Sequence, residues 1–125
     1  MRLDAHRARA QSIERSLRHC GVADYETVIE ACMLAGTHWL NILLHRKLLS
    51  APESDAIHAE FMSLADRRKA AVVIPDALRA LDTIEALRTT HVRGDLDGGQ
   101  DAARRALGCL AVLREQALAE DALAR

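Results

Sequence analysis

Apolar residues recur along most of the chain at three- and four-residue spacing, the period of an amphipathic helix, and short clusters of Gly, Pro, Ser and Asp interrupt the pattern. The first segment runs from Asp4 to Cys20, with Leu3, Ala10, Ile13 and Leu17 on one side, and stops at Gly21. Asp24 is placed to cap a second segment, because its carboxylate can accept from free backbone N–H groups. That segment extends to about Leu49 and ends at Ser50-Ala51-Pro52. Val28, Ile29, Cys32, Met33, Gly36, Trp39, Leu40 and Leu43 form its broad apolar face, widened by Leu34, Ala35, Ile42 and Leu44. A helix apolar on most sides is covered on most sides, so this one is expected at the centre.

A third helix is predicted from Ser54 or Asp55 to about Arg68, with Ile57, Phe61 and Leu64 inward, followed by a connector over Ala70 to Ile74. Pro75 and Asp76 suit the first turn of a fourth helix, lined by Leu78, Leu81, Ile84 and Leu87. It is expected to end near Thr90 to Arg93, before a glycine- and aspartate-rich loop over 94–99. The last helix is expected from about Gln100 to Ala122, with Ala103, Ala106, Leu107, Leu110 and Leu118 inward. The whole pattern predicts an all-α fold, a four- to five-helix up-down bundle, with residues 1–125 as one domain.

Composition sharpens this picture. Half of the 125 residues are hydrophobic, yet aromatics are only 2%, so Leu, Ile, Val and Ala must build the core. The net charge of −1 gives no global field to gather nucleic acid. Arg2, Arg7, Arg9, Arg15 and Arg18 make the start locally basic, either a solvated helix face or a weak anion- or RNA-facing edge. Cys20, Cys32 and Cys109 are scattered and read as reduced core thiols. No apolar leader opens the chain, and Thr37, His38 and Asn41 break its longest apolar run. The expectation is a cytoplasmic protein with no membrane span.

Two groups of residues could carry chemistry. Glu26, Glu30, Thr37, His38, Asn41 and His45 form a polar stripe on the second helix, which either faces water or lines a cleft where Asn41 and His45 meet another element or subunit. Asp55 and His58 lie three apart beyond it. No metal is expected here. His38 and His45 stand two helical turns apart, about 10 Å, too far for one small ion. There is also no Glu-x-x-His pair on two helices, no HExxH and no CxxC. The second group is Arg88, His91 and Arg93 at the end of the fourth helix. Two guanidinium groups can hold a phosphodiester and an imidazole can move a proton, which together support attack by a 2′-hydroxyl. The same residues are also suitable cations for a helix C-terminus.

The order of these segments resembles the HEPN domains of prokaryotes. The features concerned are Trp39-Leu40-Asn41-Ile42-Leu43-Leu44-His45, then Ser54 to Phe61, then Ala86 to Asp95, and the Ala-rich last helix, covering about residues 22 to 118. The resemblance implies a homodimer that binds a nucleotide, RNA or a cognate protein such as a nucleotidyltransferase or antitoxin, with no cofactor. Its ribonuclease members, of toxin–antitoxin or defence type, are metal-independent and place their Arg four to six positions before a His. Here only two residues separate Arg88 from His91. The leading expectation is therefore a non-catalytic binding module, with Asn41, His45, His58, Arg88, His91 and Arg93 as binding candidates. The alternatives are a ribonuclease using Arg88, His91 and Arg93, and an assembly protein with no small ligand.

Overall fold

Thirteen of the 22 residues of one helix are buried, and the rest of the chain is arranged around it. In the computed structural model, which describes residues 1–56 and 62–124, five α-helices follow one another. They are α1 (Leu3–Leu17), α2 (Tyr25–Arg46, entered through a short 3-10 turn), α3 (Leu64–Val73), α4 (Pro75–Arg88) and α5 (Gly99–Leu123). No strand occurs among the described residues, so the all-α bundle stands. Helix α2 is the centre: α1, α4 and α5 all pack on it, and α4 also packs on α5.

The expected apolar face of α2 is buried throughout, from Val28 and Ile29 to Leu43 and Leu44, with Trp39 and Leu40 fully enclosed. Leu34 is the exception, at 58% exposure. By length and a mean hydropathy of 1.3, Val22–Arg46 would pass for a membrane span despite Thr37, His38 and Asn41. Its neighbours account for the apolarity, since 67% of its most apolar 18-residue window is buried inside the bundle. Close approach is made at Gly36, where an added Cβ would lie 3.1 Å from both Leu113 and Leu81 side chains. Glycine here lets α4 and α5 seat against α2 together.

Two polar clamps tie α1 into place. Asp121 on α5 is almost wholly buried and takes Arg7 of α1 on one oxygen (2.7 Å) and Arg46 of α2 on the other (3.0 Å). Glu14 of α1 accepts from the Trp39 indole at 2.8 Å and pairs with Arg114 of α5. Arg7 is drawn into the first clamp, and of the other basic residues near the start Arg2, paired with Asp4 at the surface, Arg9, Arg15 and Arg18 are exposed.

Several boundaries differ from the expectation. Helix α2 ends at Arg46, not Leu49, because Leu48 turns left-handed (φ 57°) and the Leu49 amide closes back on the Leu44 carbonyl at 2.8 Å. No glycine announces that stop. Asp24 makes no side-chain cap. The third helix starts at Leu64, where the Ser63 hydroxyl accepts from the Asp66 amide at 3.1 Å. It then continues through the supposed connector to Val73. Val72 and Val73 are exposed, where the helix penalty of β-branched residues is only tenths of a kcal/mol, roughly. Leu64 and Leu118, expected inward, are 64% and 38% exposed. Ile57 and Phe61 lie outside the described residues. The fourth and fifth helices match the expectation within a residue or two.

Gly36→Val should destabilise the fold by about 1–3 kcal/mol, because two methyl groups would enter a contact already at its limit. Urea denaturation followed by circular dichroism measures it. A midpoint unchanged from wild type would refute the three-helix seat.

Candidate functional site

Asn41 and His45 are buried, at 1% and 5% exposure, although both are polar and sit on the central helix. Buried polar atoms need partners, and those partners come from the segment after α2. The Asn41 side chain grips the Ala56 peptide at both ends: its Oδ1 accepts from the Ala56 amide and its Nδ2 donates to the Ala56 carbonyl, each at 2.8 Å. The same Nδ2 lies 2.9 Å from the Thr37 carbonyl. This two-point grip folds residues 51–56 back along α2 and sets Asp55 beside His45.

The Asp55 carboxylate is the meeting point. Its Oδ1 lies 2.9 Å from His45 Nε2 and 3.0 Å from His6 Nε2. The Met1 ammonium lies 3.1 Å from Oδ2 and 3.2 Å from Oδ1. Behind the first ring of contacts, His45 Nδ1 faces the Ser50 carbonyl (3.2 Å) and hydroxyl (3.0 Å). His6 Nδ1 faces His38 Nδ1 at 2.9 Å. A cavity of about 210 Å³ opens beside the cluster, lined by Met33, Leu34, Thr37 and His38 together with Asn41 and Asp55.

So the polar stripe of α2 divides. Glu26 is exposed and Glu30 half-buried, whereas the Thr37 to His45 part lines a cleft closed by α1 and the 51–56 segment. His38 and His45 do not share a contact of their own. They are joined through His6, whose ring centroid is 5.2 Å from one and 5.4 Å from the other. His6 was not singled out by sequence reasoning, yet a signal existed. Leu3, His6, Ala10, Ile13 and Leu17 form one inward stripe of α1, and His6 is its polar member. His58 lies outside the described residues.

Arg88, His91 and Arg93 form no such constellation. The Arg88 Nε lies 2.7 Å from Glu30 of α2, and its Nη1 lies 3.4 Å from Glu85 one turn back. The Glu30 carboxylate holds the guanidinium pKa above its ordinary value. His91 and Arg93 lie in a single wide turn, Thr89–Arg93, that continues α4. His91 Nδ1 faces the Leu96 carbonyl at 3.1 Å, which fixes the loop leading to α5. A groove of about 680 Å³ lies there. It carries Glu26, Asp95, Asp97 and Asp101 against His91 and Arg104, and Arg104 is paired with Asp101. That balance does not favour a phosphate. Among the described residues, the partners of Asn41 and His45 are those of the Asp55 cluster, and Arg88 and His91 belong to a separate region.

Comparison of the chain with protein-family models, with curated proteins and with solved structures finds no match. The site is therefore judged on its own chemistry.

Burial pushes the His6 imidazole below its ordinary pKa, and the Asp55 carboxylate restores only part of this. Burial likewise lowers His38, with His6 and Arg9 adding to it. For Asp55, burial alone would raise the carboxyl. The hydrogen bonds from His6, His45 and the amino terminus outweigh it and leave the group lowered. A histidine whose folded pKa lies below its unfolded value contributes stability above that unfolded value and loses it on acidification. Asp55 has the same sign, at lower pH. With a chelator present, the melting temperature should fall as pH drops from about 7.5 to about 5, across the ordinary histidine range. The fall should be shallower in His38→Asn, which removes one of the two depressed imidazoles. Parallel curves for the two proteins would refute the assignment.

Proposed function

We propose that this chain is a binding module without catalytic activity of its own, and that its ligand site is the pocket of His6, His38, Asn41, His45 and Asp55. One observation carries the reading. Three imidazoles and a carboxylate are gathered beside a cavity, against a core built mostly of Leu, Ile and Ala. Desolvating such groups opposes folding, and replacement by packed apolar residues is often neutral or stabilising. Perturbed titratable groups cluster at functional sites, and ligands bind in cavities that carry a few convergent polar groups.

The absence of catalysis is supported at the other end of the molecule. A ribonuclease of the type the resemblance suggests needs an arginine free to meet phosphate and a histidine close to it. Arg88 instead sits between two carboxylates, and His91 is tied to a loop carbonyl. The homodimer, and a nucleotide, RNA or cognate-protein ligand, are carried over from the resemblance to HEPN domains as part of the proposal.

A thermal-shift panel of divalent cations, nucleotides and short oligoribonucleotides tests the reading. At least one member should raise the melting temperature of the wild type and leave His45→Gln unmoved. A ligand at one hundred times its dissociation constant contributes about 2.7 kcal/mol, which such a melt resolves. If every member shifts both proteins alike, the pocket is not the ligand site. Cellular RNA incubated with the wild type should stay as intact as with His91→Ala, and cleavage by the wild type alone would restore the ribonuclease reading.

A further inference from the structure

We propose that the pocket binds a divalent first-row transition-metal ion through His6 Nε2, His45 Nε2 and Asp55 Oδ1. The proposal deepens the binding reading above and rests on it. The three ligand atoms all lie within 4.8 Å of one another. They come from three separate parts of the chain: α1, α2 and the returning 51–56 segment. Both imidazole Nε2 atoms aim at the same carboxylate oxygen, at 2.9 and 3.0 Å. Metal–ligand bonds of about 2.0–2.1 Å meeting at right angles span ligand edges of about 3 Å. Two edges of such a polyhedron are thus already set. Closing the remaining separation asks for movement on the order of an ångström toward bonding range, in a segment held mainly by the Asn41 grip.

The outer contacts are those that metal-ligating histidines use. A ligating imidazole donates its other ring N–H to a carbonyl, carboxylate or water, which fixes the tautomer and raises its basicity. The Ser50 carbonyl stands at His45 Nδ1 in that position. His38 Nδ1 stands at His6 Nδ1 and accepts there when His6 donates. With both Nδ1 atoms protonated, both Nε2 lone pairs point at Asp55 Oδ1. Without a cation that arrangement sets lone pairs against a carboxylate oxygen, so the metal-free protein must keep protons on Nε2. On metal binding each neutral ring gives up its Nε2 proton and takes one on Nδ1, so Nε2 is freed for the ion with no net release of protons. The Met1 ammonium keeps Oδ2 as its partner while Oδ1 turns to the ion.

Ligand chemistry selects the ion. Two imidazoles and one carboxylate suit Zn²⁺, Fe²⁺, Co²⁺ or Ni²⁺, whereas Mg²⁺ and Ca²⁺ call for oxygen donors throughout. His6 and His45 are buried while Asp55 is 27% exposed, so an ion reaches the site from the Asp55 side. Three protein ligands leave coordination positions for water or an added donor, and the neighbouring cavity has room for one.

Cobalt titration of the chelator-treated full chain tests the proposal. Wild type should develop the visible d–d absorption of protein-bound Co²⁺ at one equivalent, and Zn²⁺ should displace it while Mg²⁺ does not. His45→Gln should lose this binding. His38→Asn, which removes only the outer contact, should weaken it roughly 10-fold or more. Circular dichroism establishes that each variant is folded. One measurement needs no variant: in Zn²⁺-loaded wild type, long-range ¹H–¹⁵N correlations should report Nδ1-protonated rings for His6 and His45 with Nε2 shifted by the ion. A spectrum indistinguishable from aqueous Co²⁺, or histidine signals unchanged by Zn²⁺, overturns the metal site. If a nucleotide or oligonucleotide still stabilises the protein through His45 in that case, the binding reading stands without its metal. If nothing does, both fall.

Discussion

A helix that is apolar nearly all the way round must be covered nearly all the way round, and that constraint on α2 organises this molecule. Helices α4 and α5 close one side, with Gly36 at the tightest point. Helix α1 closes another. Covering the helix also encloses the polar residues it carries, and Asn41 and His45 end up at 1% and 5% exposure. A buried amide or imidazole without a partner costs about 1–3 kcal/mol, so the chain leaving α2 turns back to supply partners. The path of residues 51–56 is largely the answer to that need: Asn41 fixes the Ala56 peptide, and Asp55 arrives beside His45.

Two shielded carboxylates show how differently the same group can be employed. Asp121 holds Arg7 and Arg46, one on each oxygen. Guanidinium groups keep their charge at any ordinary pH, so this clamp is permanent and joins α1, α2 and α5. Asp55 meets imidazoles instead, and burial disfavours the charged form of His6. Neutral imidazoles satisfy hydrogen bonds without neutralising a carboxylate. Asp55 is therefore a carboxylate ringed by imidazole donors, with the Met1 ammonium as its charged partner.

Much of the fold was legible because the signals that define it are local. The 3.6-residue period marked α1, α2, α4 and α5, and Pro75 marked the start of α4. The stop of α2 was not legible, since Leu48 takes a left-handed conformation that glycine usually announces. Helix α3 was misplaced because Ser54 and Ser63 are both acceptable caps, and only tertiary contact chooses between them. At the site, Asn41 and His45 were read as polar residues on an apolar helix, and the structure gives them a common purpose. His6 was hidden by distance: 32 residues separate it from His38 and 49 from Asp55. No spacing rule spans such gaps. Its one trace was a histidine on an otherwise apolar stripe.

The separation of the two candidate regions also bears on what kind of protein this is. In the Arg88 region Arg88 and Arg104 each have a carboxylate, Arg93 is exposed, and the adjoining groove carries more acidic than basic side chains. A phosphate entering there would have to displace Glu30 from a guanidinium at 2.7 Å and meet Asp95 and Asp97 besides. At the Asp55 pocket one carboxylate meets two imidazoles and the Met1 ammonium, with no guanidinium among them. The physical asymmetry lies between the ends of one helix: α2 gives a carboxylate, Glu30, to a guanidinium in the first region and an imidazole, His45, to a carboxylate in the second.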